Sequence, residues 1–240
     1  MPVPDSIIQR TSIWQSGYRN TANLVSLLGI APLMLLLLPE GLSWIPWVIV
    51  LNNIADDLDG LIAGWLNIRS QFGAHLDNVC DAVVHGGIVL ALASSLDVFG
   101  MVTGFLATCS IVIRSTRRLS SDTPSGGSPT NELMRHCLLV WLLADLGWIS
   151  ASLALPVLFV VHSISLQFTT TMPWLIRNLI RTPVPIIALN AFLLLLVAYP
   201  SPWLVGASTV VIIGSYVLSF FRVALSMLSP SPSRDLPDTR

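Results

Sequence analysis

Lysine is absent from the 240 residues, and charged side chains make up only 10% of them. An ordinary soluble domain carries roughly 25%, so this scarcity excludes a typical globular protein. With 53% hydrophobic residues, the chain reads as all-α. The expected form is a polytopic integral membrane bundle of about eight transmembrane helices, within a range of six to eight. Cysteine is scarce as well. Cys80, Cys109 and Cys137 lie in apolar stretches without paired spacing, which argues against a disulfide framework and a zinc site. Three buried free thiols are expected. The first residues lack a short apolar segment followed by a small-residue cleavage site, so no removable signal peptide is expected. Membrane lipids, not nucleic acid, are the expected surroundings.

Apolar runs between polar breaks place spans near 22–38, 44–64, 73–95, 98–114, 136–152, 155–170, 183–199 and 203–225. Residues 134–168 as one helix would run about 50 Å and overshoot a hydrocarbon core of about 30 Å, so a turn is expected near Ser152 to Pro156. Arginine position supports eight spans. All twelve arginines then fall on one side, which the positive-inside rule makes cytoplasmic, whereas seven spans would move Arg177, Arg181, Arg222, Arg234 and Arg240 outside. Ile7, Ile8, Ile13, Trp14 and Tyr18 suggest an N-terminal interfacial helix. Residues 119–133 have the composition of a flexible linker. The reading is one membrane-embedded domain over 1–228 and a disordered cytoplasmic tail over 229–240.

Against this apolar background five aspartates crowd into residues 56–81. They read Asp56-Asp57-Leu58-Asp59-Gly60-Leu61-Ile62-Ala63-Gly64 and then Gly73-Ala74-His75-Leu76-Asp77-Asn78-Val79-Cys80-Asp81. Carboxylates inside a membrane protein are costly and are kept for ion, proton or metal work. Residues three or four apart share a helix face, so Asp56 pairs with Asp59 and Asp77 with Asp81. Asp57 lies about 100° round and faces elsewhere. The topology puts both pairs at the cytoplasmic ends of adjacent helices. Four such carboxylates repel one another, and a divalent cation is the simplest remedy. Oxygen ligands without His or Cys suit Mg²⁺, Mn²⁺ or Ca²⁺, as one ion or two. Gly60 and Gly73 either let a phosphate approach the backbone or serve close helix packing; both readings stand at this point.

The pattern D-x2-D-G-x2-A, a gap, then G-x3-D-x3-D resembles the signature of the CDP-alcohol phosphotransferases, integral membrane enzymes of phospholipid synthesis. Asp56, Asp59, Gly60, Ala63, Gly73, Asp77 and Asp81 match in type and spacing. Ala22-Asn23-Leu24-Val25-Ser26 weakly resembles the family's P-N-x-x-T/S. The resemblance implies transfer of a phosphatidyl group from CDP-diacylglycerol to a small alcohol, with release of CMP. It implies Mg²⁺ or Mn²⁺ held by Asp56, Asp59, Asp77 and Asp81, with Asp81 also the catalytic base. Gly60, Ala63 and Gly73 would line the CDP pocket, and a homodimer is implied by analogy. One position departs: the family has Arg after the motif alanine, where this chain has Gly64. Arg69, Arg114 or Arg117 could substitute for it.

The block Phe72-Gly73-x3-Asp77-Asn78-x2-Asp81-x3-His85-Gly86, together with the pair Arg114 and Arg117, resembles the phosphatidylserine synthase branch, which narrowly favours serine over inositol-type or glycerol-3-phosphate acceptors. Arg69, Arg114, Arg117, Arg177 and Arg181 are candidate phosphate or acceptor contacts, with plain membrane anchoring as the other reading. His85 could tune Asp81 or be a buried histidine satisfied by a neighbour. Asp145 could pair with Arg135 or His136, or line the cavity. Three other functions compete. A degenerate family member would lack activity, a UbiA-type prenyltransferase has its acidic motifs far apart in the chain, and a cation or proton transporter usually holds its carboxylates near the midplane within internal repeats. Here 17 residues separate Asp59 from Asp77 and no second copy of the cluster occurs.

Overall fold

The computed structural model describes residues 20–120, 126–176 and 182–228. Among these residues the eight α-helices are α1 (Thr21–Leu28), α2 (Ile45–Trp65), α3 (Gln71–Ser94), α4 (Val98–Leu119), α5 (Thr130–Asp145), α6 (Ala151–Ser165), α7 (Pro183–Ala198) and α8 (Pro202–Leu228). Two 3₁₀ stretches, Ala31–Leu37 and Gly41–Trp44, join α1 to α2. Each expected span has a helical counterpart, and the all-α bundle stands. The interfacial helix over the first 19 residues, the tail from Ser229, Arg177 and Arg181 all lie outside the described residues.

Local chemistry sets the helix starts. Pro46, Pro183 and Pro202 stand in the first turns of α2, α7 and α8, where the missing N–H is harmless and φ is already helical. Ser70 caps α3 by accepting from the Gly73 N–H at 2.9 Å, and Asp97 caps α4 from the Gly100 N–H at 2.8 Å.

Among the described residues three helices, α3, α4 and α8, are long and apolar enough to cross a membrane. The apolar stretches Thr21–Leu37, α6 and α7 are shorter. Outward-facing Phe99, Phe105, Leu218, Phe221 and Leu225 are exposed. Such a belt would drive aggregation in water and is what a lipid-facing surface requires. This is an integral membrane helical bundle. Its core is built from Ile45, Val48, Ile49, Val84, Ile88, Leu92, Ile111, Leu138 and Phe159. Small residues bring α3 and α4 together, with Gly104 against the Ala93 methyl and Gly86 against Thr108.

Three expectations are corrected. The turn between α5 and α6 falls at Leu146 to Ser150, not at Ser152 to Pro156. Gly147 takes φ +73°, and the N–H groups of Gly147 and Trp148 return to the carbonyls of Ala144 and Leu143 at 2.9 Å each. That Schellman closure ends α5, and Pro156 is accommodated inside α6. Secondly, α4 continues to Leu119 and α5 starts at Thr130, so much of 119–133 is ordered. Gly127 and Ser128 are buried, and their N–H groups donate to the carbonyls of Thr170 (2.8 Å) and Ser165 (3.1 Å). Thirdly, Asp145 is exposed, while Arg135 pairs with Glu132 at 3.0 Å and His136 Nδ1 meets His162 Nε2 at 2.8 Å. The cysteines are free thiols, with Cys80 and Cys137 buried and Cys109 partly so.

Candidate metal centre

Helices α2 and α3 run side by side from the short loop that joins them, which brings their acidic ends together. Asp56, Asp59 and Asp77 each present a carboxylate oxygen within 4.8 Å of the others. Asp59 is buried, and the other two are partly exposed. Oxygens at such separations, with no His or Cys among them, fit a hard divalent cation. Asp81 lies outside this group of three, one turn further along α3 and only 6% exposed. His85 comes next on that face, with Nε2 at 3.0 Å from Asn52 Oδ1, the satisfied-histidine outcome.

Two of the three carboxylates are oriented by a second residue. The Ser26 hydroxyl on α1 donates to Asp59 Oδ2. Asn131 Nδ2, at the start of α5, donates to Asp56 Oδ2 at 2.7 Å. Outer partners of this kind fix the rotamer of the group they contact. Ser26 belongs to the weak motif at the first span, and Asn23 of that motif packs over α3. A Cβ at Gly73 would stand 2.9 Å from Asn23 Oδ1. Gly73 therefore serves close approach within the protein. Gly60 differs, since a Cβ there would meet no atom within 4 Å.

Two chambers meet at the carboxylates. The larger, about 620 Å³, is bounded beyond the aspartates by Asn131, Arg135, Pro183, Ile186 and Leu189. The smaller, about 260 Å³, contains all three expected CDP-binding residues, Gly60, Ala63 and Gly73. Asp59, Gly60, Arg69 and Asp77 border both. Among the candidate arginines that lie in the described residues, Arg69 alone borders either of these two. Arg114 donates to the Gly126 carbonyl and braces the 126–128 segment, and Arg117 Nη1 donates to the Gln167 carbonyl at 3.3 Å just after α6.

Spacing within residues 56–81 could not reveal the wall of the larger chamber. Asp57 does turn from the ligand set, as its helical phase requires, but its partners come from far along the chain. Asp57 Oδ2 accepts from Asn53 Nδ2 at 3.1 Å and from Asn190 Nδ2 on α7 at 2.7 Å. Asn53 Oδ1 accepts in turn from Arg135 Nη2 at 3.2 Å. The available signal was a polar residue inside an apolar run, which marks Asn190 and the Asn131 to Arg135 stretch of α5 without saying what they meet.

The comparisons agree with this geometry. A sequence profile described as CDP-alcohol phosphatidyltransferase matches residues 19–160, which contain every aspartate of the centre and both of the hydroxyl and amide groups that orient them. The phosphatidylinositol phosphate synthase of Cutibacterium acnes is 30% identical over 99 residues. That match takes in 34% of this chain and 48% of the relative, so it spans about half of the relative's length. With more than half of its length matched, and the acidic motif folded into one centre, the chain belongs to the CDP-alcohol phosphatidyltransferase family.

Proposed function

We propose that this protein transfers a phosphatidyl group from CDP-diacylglycerol to a small alcohol and releases CMP. The observation that carries the reading is the convergence of Asp56, Asp59 and Asp77 where two chambers meet. A transferase needs two substrates brought to one point, and a single ion pathway does not. Mg²⁺ or Mn²⁺ bound by these carboxylates, as one ion or two, would offset charge on the diphosphate and on departing CMP. The chain's own residues do the rest. Gly60 and Ala63 leave room for the cytidine diphosphate in the smaller chamber, and Gly73 completes its wall while packing against Asn23. Asp81 takes the proton from the acceptor hydroxyl as its oxygen bonds to phosphorus and the bond to the CMP oxygen breaks. Asn131 and Ser26 hold two of the carboxylates in place.

For the acceptor, the similarity to a phosphatidylinositol phosphate synthase favours a phosphorylated inositol-type alcohol. Serine loses part of its support, because Arg114 and Arg117 are engaged with backbone carbonyls. Purified protein in lipid, given CDP-diacylglycerol, Mg²⁺ or Mn²⁺ and a panel of serine, glycerol 3-phosphate, inositol and inositol phosphate, should release CMP with inositol phosphate above the others. No CMP with any acceptor, alongside metal-dependent ion flux in liposomes, would restore the transporter reading. The arginine bias favours a centre on the cytoplasmic side, which labelling of a cysteine introduced at Asn67 in oriented vesicles would test. A homodimer is a separate proposal, read by crosslinking in membranes.

Gly60→Ala separates folding from binding. The substitution meets open space and replaces glycine inside a helix, so the unfolding temperature in detergent should hold or rise, by up to about 1 kcal/mol of stability. The KM for CDP-diacylglycerol should rise at the same time. An unchanged KM would remove Gly60 from the donor chamber.

A further inference from the structure

The loop after α2 delivers a cation to the centre. Asn67 takes φ 54°, its N–H returns to the Gly64 carbonyl at 3.3 Å, and the Ile68 N–H returns to the Ala63 carbonyl at 3.1 Å. This is a Schellman closure with asparagine in the left-handed position that glycine usually takes. It folds the chain back over the last turn of α2, and Arg69 follows at once. Ser70 then caps α3. Arg69 is thereby held between two fixed helix ends.

Its guanidinium lies across the bare face of Gly64. A Cβ at position 64 would stand 3.1 Å from Arg69 Nη2, closer than a comfortable van der Waals contact. Glycine at 64 and arginine at 69 therefore fit as a pair. Arg69 is exposed, and it makes no hydrogen bond or ion pair with another described residue. It nevertheless borders both chambers beside Asp59 and Asp77. A diphosphate next to three carboxylates needs positive charge on its outer side. A planar guanidinium can donate to two phosphate oxygens at once.

We propose that Arg69, reaching from the loop across Gly64, is the residue that grips the diphosphate of the nucleotide-linked donor. The inference rests on the transferase reading above and adds to it a specific contact. The cation that binds phosphate comes from the α2–α3 turn, and Gly64 is the space it occupies. An arginine introduced at 64 would collide with it instead of adding to it.

The test uses the full chain in detergent as four proteins: wild type, Arg69→Ala, Gly64→Arg and the double variant. Calorimetric titration with CDP in Mg²⁺ gives affinity, CMP release gives KM and kcat, and thermal unfolding checks the fold. Arg69→Ala should weaken CDP binding at least tenfold and raise the donor KM more than it lowers kcat, with Arg69→Lys recovering part of the loss. Gly64→Arg alone should also weaken CDP binding. The double variant should regain much of what either single change loses, because the new guanidinium then has the space to itself. Arg69→Ala binding CDP within twofold of wild type overturns the inference alone, since wild-type binding keeps the transferase reading intact. Gly64→Arg tightening CDP binding with Arg69 in place, or additive losses in the double variant, overturns the pairing. Wild-type protein that neither binds CDP nor releases CMP overturns both the inference and the reading beneath it.

Discussion

Asp81→Asn should lower CMP release by about 10²- to 10⁴-fold, the usual range for removing a positioned general base. Binding of CDP in Mg²⁺ should change little. The reason lies in the geometry of α3: Asp77 joins Asp56 and Asp59, while Asp81 stands outside that group. Asparagine keeps the shape and removes the proton acceptor, so the bundle should unfold at the wild-type temperature. Affinity and turnover would then separate. If Asp81→Asn also lost CDP and Mg²⁺ binding, Asp81 would be a ligand as much as a base. Wild-type turnover would end its candidacy for either role.

Removing the metal should have an effect of similar size and add a stability change. Three carboxylate oxygens within 4.8 Å of one another repel by roughly 3 to 4 kcal/mol per pair at an effective dielectric of about 20. A chelator should therefore abolish CMP release and lower the unfolding temperature in detergent, with Mg²⁺ or Mn²⁺ restoring both. At a hundred times its dissociation constant, an ion bound only to the folded state adds about 2.7 kcal/mol. Asp77→Asn should erase most of this metal-dependent shift, because it removes the carboxylate that α3 contributes. Its metal-free form should unfold at or above the temperature of the metal-free wild type, since one repelling charge is gone. An unfolding temperature indifferent to Mg²⁺, Mn²⁺ and Ca²⁺ in wild-type protein would mean that the cluster holds no ion.

Helical periodicity made most of the acidic centre legible. Spacing placed Asp56 with Asp59 and turned Asp57 away, and the fold does both. It also grouped Asp77 with Asp81, and of the two Asp77 falls within the three-carboxylate cluster. Facing the same way along one helix does not fix how far each position stands from its neighbour. Asn131, Arg135 and Asn190 were not legible as site residues, because their role depends on how α5 and α7 pack against α2. The α5–α6 turn lies before the expected Ser152 to Pro156, because helix length limits a span without fixing where it ends. Gly147 closes α5 through a left-handed residue and two return hydrogen bonds, whereas Pro156 is carried within its helix. Gly64 looked like a deficiency in a linear pattern. In three dimensions its missing side chain is the space beside which Arg69 lies.

The hydrogen bonds of Asp57 have a consequence for the rotational setting of α2. Between helices in lipid, apolar faces discriminate weakly, since lipid tails are as greasy as leucine. A turn of α2 by one residue, about 100°, would carry Asp57 toward the ligand position of Asp56. Asn190 on α7 and Asn53 hold Asp57 where it is. Asp57, outside the three-carboxylate cluster, thus acts as a phase lock, deciding which of two adjacent carboxylates joins that cluster.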